Sequence, residues 1–269
     1  MLSALKNAWK VEELRNKILF VLAMIAVYRV GAHIPVPGID PSKLQQFFQG
    51  SGVLGFLNMF SGGALRRFTI FAMSISPYIT ASIVMQLLTV VIPKLEELSK
   101  QGQEGKKIIT KYTRYATVVL GLIQGTGITM MIRNTGAIAN VSFFNLATIV
   151  ITLTAGTIFL MWLGEQITDK GIGNGISIII FASIISRFPT AVMNTFDKLQ
   201  AGAINIFNVI LFAAIAVVVI AVVIYIQQGQ RKVPVQYSKR VVGRKVYGGR
   251  STHIPMKVNQ AGVIPVIFA

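Results

Sequence analysis

The stretch IFNVILFAAIAVVVIAVVIYI, Ile206–Ile226, carries no charged residue from end to end. A helix needs about 20 mostly apolar residues to cross a bilayer, where every backbone polar group must be satisfied within the segment. Five other runs meet or approach that length: Ile18–Ala32, Ala72–Ile92, Tyr115–Ile132, Leu146–Gly164 and Ile176–Arg187. A further apolar run starts near Ala261 and continues to Ala269. Charged residues make up 13% of the chain, against about 25% in soluble domains. The expected fold is therefore an all-α polytopic membrane bundle, with six full spans and a truncated seventh. The fifth span is short and is expected to borrow residues from its glycine-rich approach. Arg29 stands near the end of the first span, where a long side chain can snorkel to the headgroups. Because Ala269 falls inside an apolar run, the sequence reads as part of a longer protein.

Basic residues set the orientation. With the N-terminus in the cytoplasm, one group holds Lys6, Lys10, Arg15 and Lys17, and a second holds Lys94, Lys100, Lys106, Lys107, Lys111 and Arg114. The last loop adds Arg231, Lys232, Lys239, Arg240, Arg244, Lys245, Arg250 and Lys257. Most of the 26 Lys and Arg thus fall on one side, as the positive-inside rule requires. The net charge of +17 calls for an anionic partner, either lipid headgroups or nucleic acid. The N-terminus lacks a compact signal-peptide pattern, so the first span is expected to be retained.

Three stretches ask for more than lipid solubility. SGGALRRFTIFAMSISPYITASI, residues 61–83, is small, interrupted by Pro77, and dotted with the hydroxyls Ser74, Ser76, Thr80 and Ser82. Its approach from Gly55 is too short to span and too apolar for a plain loop. It reads either as a re-entrant segment held within protein or as an interfacial helix capping the bundle. GIGNGIS, Gly171–Ser177, spaces three glycines at alternate positions but lacks the Lys-Ser/Thr pair of a phosphate loop. Close helix packing or a hinge is the expected use. Gln227–Lys257 carries eight basic residues and no acid, and alternates like strands joined by a turn. Tyr237 and Tyr247 interleave with its charges, a pattern suited to a large anionic partner, although a topology signal or lipid patch would also use the charge.

Catalytic chemistry finds little to work with. The chain has no cysteine, and its two histidines, His33 and His253, are far apart in sequence. Of the nine acids, only Glu165 and Asp169 lie near a span boundary, and none sits at mid-span. No nucleotide site, metal site or cofactor is expected. A small-solute transporter built on a broken re-entrant helix would need a charged or ion-binding group at mid-membrane, and a ribosome-tethering module would use its spans only as anchors.

The motifs SGGALRRFTIFAMSISPYITASIVMQLLTVVIP, KYTRYATVVL, GEQITDKGIGNGISIIIF, QQGQRKVPVQYSKR and STHIPMKVNQAGVIPVIFA follow one another along the chain. In that order they resemble the SecY family, the central subunit of the bacterial protein-translocation channel. The resemblance implies a protein-conducting channel, not an enzyme, in the bacterial plasma membrane with its N-terminus cytoplasmic. It implies a ten-helix fold in two halves, of which this chain holds helices 1–5 (residues 18–188, after a cytoplasmic N-terminal segment 1–17). An external loop and helix 6 (189–226), a basic cytoplasmic loop (227–257) and the start of helix 7 (258–269) follow.

The resemblance also assigns residues. The family's plug maps to Gly55, Phe56, Leu57, Asn58, Met59, Phe60, Ser61, Gly62, Gly63, Ala64, Leu65, Arg66 and Arg67. Its aliphatic pore ring maps to Ile75, Ile79, Ile180 and Ile267, with Ile176 a weaker candidate. Its lateral gate maps to Thr80, Ser82 and Gln86 on one side and Asn259 and Gln260 on the other. Arg231, Lys232, Lys239, Arg240, Arg244, Lys245 and Arg250 would dock the ribosome or the SecA motor. The implied partners are SecE, SecG, SecA, the ribosome, signal sequences and nascent polypeptides, anionic phospholipids, and the remaining half of the same protein.

Overall fold

The computed structural model describes residues 10–40, 43–44, 58, 61–138, 141–235, 240–242, 245–247 and 252–259, with the backbone alone at 240–242, 245–247 and Thr252. The chain divides into two compact units, Met1–Val192 and Met193–Ala269.

The first unit is helical. Helix α1 spans Glu12–Gly31, with Glu12 and Glu13 in its first turn and Arg29 in its last, charges that suit the helix dipole. A four-residue helix, α2 (Ala64–Arg67), precedes α3 (Ser76–Val91) and α4 (Pro93–Lys100). Pro93 starts α4 because proline is tolerated in a first turn and forces the residue before it out of the helical region. Ile92 is accordingly extended, and α3 and α4 meet at 101°. Helix α5 runs 32 residues, Gly102–Arg133, and α6 runs 28, Phe143–Lys170. Helices α7 (Gly175–Ile185) and α8 (Phe188–Gln200) follow, the boundary between the two units falling within α8.

Helix α6 is the spine. Its buried Ile149, Leu153, Gly156, Leu160, Leu163 and Ile167 recur at three- and four-residue spacing, the face an amphipathic helix turns to its core. Two apolar clusters form around it. One gathers Val36, Leu65, Phe68, Met73, Ile132, Ile149 and Leu153; the other gathers Tyr28, Ala64, Phe71, Ile75, Leu160, Leu163, Ile167 and Ile179. Phe71 stacks between Tyr28 and Phe159, at ring separations of 5.9 and 6.0 Å.

The second unit holds α9 (Ile206–Gln228) and the strands β1 (Gln230–Val235), β2 (Arg240–Val242), β3 (Lys245–Tyr247) and β4 (Thr252–Lys257). β1 pairs antiparallel with β4, and β2 with β3. The strand-and-turn alternation read in Gln227–Lys257 is thus present.

Among the described residues, four helices or helix pairs are long and apolar enough to cross a membrane, and five if bent α3–α4 counts as one span. Helix α1 covers the first expected span but includes Glu12, Glu13, Arg15, Lys17 and Arg29, which keep it outside that group. The fifth span starts only at Gly175; its missing length comes from α8, giving Gly175–Gln200, and not from the glycine-rich approach. The second begins at Ser76 rather than Ala72, with Pro77 in its first turn. The apolar run from Ala261 lies outside the described residues.

Candidate functional site

The residues from Ser61 to Ile75 fold into a compact, largely non-helical insertion. Asn58 and Ser61 organise its start: the Asn58 side-chain oxygen accepts from the Arg66 amide at 3.0 Å, and Ser61 Oγ accepts from the Leu65 amide at 3.1 Å. These bonds satisfy amides that a helix of one turn leaves without intrahelical partners. Gly62 and Gly63 follow at φ +63 and +88, left-handed values that glycine adopts without a Cβ penalty. At Gly62 a Cβ would also lie 3.0 Å from the Ser183 carbonyl oxygen of α7. Asn58, Ser61, Ala64 and Leu65 are buried.

The segment's far end is stitched to the loop after α1. The Val36 amide donates to the Phe68 carbonyl and the Ile70 amide to the Ile34 carbonyl, each at 3.0 Å. Phe68 and Ser74 take positive φ values of 48 and 53, uncommon for residues with a Cβ. Such conformations cost on the order of 1–3 kcal/mol each and persist only where the surroundings hold them.

The isoleucines lie directly beyond. Ile75 is fully buried in the cluster that also contains Ala64, and Ile79 and Ile176 pack against that cluster. Ile79 stands one turn into α3, its amide bonded to the Ile75 carbonyl at 3.0 Å. Ile180 is half-buried on α7, next to the fully buried Ile179. Ile267 lies outside the described residues, as do Gly55, Phe56, Leu57, Met59 and Phe60 of the mapped plug.

The glycines of GIGNGIS build a joint. A Cβ on Gly175 would collide with the Gly164 carbonyl oxygen, so α6 and α7 approach at backbone distance. Thr168 Oγ1 accepts from the Gly175 amide at 2.9 Å, and the Asn174 side chain accepts from the Ser177 amide at 3.0 Å. Close packing is thus the use of Gly175. Nearby, Tyr28 Oη and Ser183 Oγ are 2.6 Å apart in the interior, tying α1 to α7.

Of the mapped gate, Ser82 and Gln86 stand one turn apart on α3 and so share a face, whereas Thr80, two residues from Ser82, does not. The Thr80 hydroxyl donates to the Ser76 carbonyl. Asn259 is exposed just after β4, and Gln260 lies outside the described residues. In the basic loop, Arg231 and Lys232 are exposed on β1. Arg240 and Lys245 fall on β2 and β3, opposite Tyr247 and Val242 respectively. Lys239, Arg244 and Arg250 lie outside the described residues.

One group escaped the sequence reading. Arg29 from the end of α1, Arg66 and Arg67 from α2, and Arg187 after α7 line one cavity with His33. In sequence they are separate, and the only hint was that each sits at the same end of its span in the expected topology.

A polytopic helical bundle with a buried, glycine-entered insertion ahead of one span defines the class. A profile of the SecY family matches residues 69–269. The protein translocase subunit SecY of Streptomyces scabiei is 50% identical over 285 residues, covering 100% of this chain and 64% of that protein. The chain therefore spans less than two thirds of that relative. Among solved structures, a SecY whose plug domain is described as stabilising the closed translocation channel superimposes with a TM-score of 0.64. That match is at 19% identity, over 94% of this chain and 54% of the other. Canine Sec61, from a ribosome–channel complex of the endoplasmic reticulum, gives 0.57 at 18% identity, over 82% and 49%. This chain belongs to the SecY family and is a multi-pass membrane protein.

Proposed function

We propose that this chain forms part of a protein-conducting channel subunit in the bacterial plasma membrane, with its N-terminus cytoplasmic. The complete channel moves unfolded secretory polypeptides across the membrane and releases transmembrane segments sideways into lipid. The observation that carries this reading is the shared apolar cluster: Ala64 of the insertion is buried together with Ile75, and Ile79 and Ile176 pack on the same cluster. A ring of branched aliphatic side chains makes a constriction that water and ions cross at high cost, yet it offers no fixed hydrogen-bonding group that would select one polypeptide over another. A short insertion seated against it closes the passage and can leave without unfolding a long helix.

On this reading Gly55–Arg67 is the plug, of which Asn58 and Ser61–Arg67 are among the described residues. Helix α3 supplies one side of the lateral gate through Ser82 and Gln86, and Asn259 belongs to the other. Polar pairs between membrane helices contribute about 0.6–2 kcal/mol each, which a signal helix can displace. The basic hairpins around Arg231, Lys232, Arg240 and Lys245 dock the ribosome or the SecA motor, whose ATP hydrolysis or whose translation drives transport. SecE, SecG, anionic phospholipids and the remaining half of the protein complete the assembly.

The test is electrical. Ile79→Asn in the full-length protein, reconstituted in a planar bilayer without substrate, is expected to raise resting ion conductance. Conductance equal to that of the parent would sink the constriction.

A further inference from the structure

We propose that the arginine-lined cavity between α1, α2 and the end of α7 is a binding site for a phosphate-class oxyanion. The cavity has a volume of about 370 Å³ and is lined by Arg29, His33, Arg66, Arg67, Ser186 and Arg187, with no carboxylate among its walls. Two features make this more than a basic surface. Arg29 Nη1 is fully buried and makes no hydrogen bond among the described residues, and a buried charged donor left unmatched is costly. The guanidinium groups of Arg187 and Arg67 also converge over Gly63: Nη2 of each lies 3.5 and 3.6 Å, respectively, from where a Gly63 Cβ would be. Like charges gathered in a half-buried cavity repel one another strongly, because screening by water is reduced there.

A tetrahedral oxyanion answers both features. It accepts several charge-assisted hydrogen bonds at once, and arginine's planar fork suits phosphate oxygens. The donors come from three separate pieces of chain, so the anion links α2 to α1 and to the end of α7. The hydroxyl of Ser186 donates to the Ser183 carbonyl, which fixes the wall on which Arg187 stands. Phosphate of this kind has two sources, the headgroup of an anionic phospholipid and free inorganic phosphate. The site does not rest on the channel reading, since binding is measured without transport.

The full chain in neutral detergent is titrated with inorganic phosphate at constant ionic strength, with chloride as the control, and the thermal midpoint is followed. In a second arm it is placed in phosphatidylcholine nanodiscs with and without phosphatidylglycerol, and retained lipid is counted by native mass spectrometry. A midpoint that rises with phosphate, or phosphatidylglycerol retained over phosphatidylcholine, is the expected result, and the responding arm identifies the source. Arg187→Gln and Arg67→Gln should each weaken that binding by about tenfold or more, the loss of a charge-assisted contact, while Arg187→Lys should keep most of it. If Arg187→Gln does not fold, Arg67→Gln carries the comparison. The proposal is overturned if chloride acts as well as phosphate, if parent and Gln variants bind alike, or if neither arm responds.

Discussion

Two glycine-bearing stretches, 61–75 and 171–177, look alike in sequence and do opposite things in the structure. In 171–177 the glycine is a fastener: Gly175 lets α7 rest on the Gly164 backbone, and Thr168 and Asn174 satisfy the amides of the new helix. The one positive φ in that turn, +73, falls on Gly173, a value that glycine takes without penalty. In 61–75 the glycines serve a piece that carries opposing costs. Phe68 and Ser74 sit in left-handed conformations, the Thr69 hydroxyl is buried without a partner among the described residues, and Arg67 and Arg187 crowd over Gly63. Its hydrogen bonds close mainly on itself, through Asn58 and Ser61. One stretch is a close backbone joint of the frame; the other, on the proposed function, is a seated, releasable part. The lesson is that small residues alone do not tell a joint from a moving piece; what they bring into contact does.

The comparison breaks if the two stretches respond alike to an added side chain. Gly175→Val forces Cγ and Cβ atoms into the Gly164 backbone and should destabilise the whole first unit by about 3 kcal/mol, the upper range for overpacking. Denaturant titration in micelles reads this as a shift of the global transition; a parent-like transition would remove the joint. Gly62→Ala meets a positive φ and the Ser183 carbonyl, and should cost about 1–2 kcal/mol. Hydrogen exchange should then rise within 61–67 while α6 and α7 keep their protection. A global loss as large as that of Gly175→Val would make the insertion part of the frame. Smallest of all, Arg231→Glu with Lys232→Glu, both exposed on β1, should leave stability within about 0.5 kcal/mol. Ribosome binding should fall, and its salt dependence should flatten; binding unchanged by charge and salt would leave the hairpin as a topology signal.

How far the sequence carried these conclusions depends on what each residue had to meet. Apolar runs marked the spans because lipid solubility is written locally, in about 20 consecutive side chains. Helix ends were less legible. The third expected span was Tyr115–Ile132, yet α5 starts at Gly102, since Glu104–Lys107 pairing and the Arg114–Glu165 bridge, both at 2.8 Å, support turns that hydropathy does not register. Pro77 looked like a break inside a helix and is instead a helix start, because residues 69–75 turn back to pair with the loop after α1. Those pairings join positions far apart in sequence, and nothing near Phe68 announces its left-handed backbone. Ile75 and Ile79 were legible as neighbours, but the arrival of Ala64 and Ile176 on the same cluster is a tertiary fact. The arginine cavity is another: Arg29, Arg67 and Arg187 carry no local mark of meeting.

The central claim is that Ser61–Arg67 leaves its seat while the Gly164–Gly175 joint holds. Hydrogen exchange on the full-length protein in nanodiscs, with and without a synthetic signal peptide, tests it most directly. The account predicts that amides 61–67 lose protection when the peptide binds and that those of 164–179 keep theirs. Protection unchanged in 61–67, or lost equally in both stretches, would contradict it.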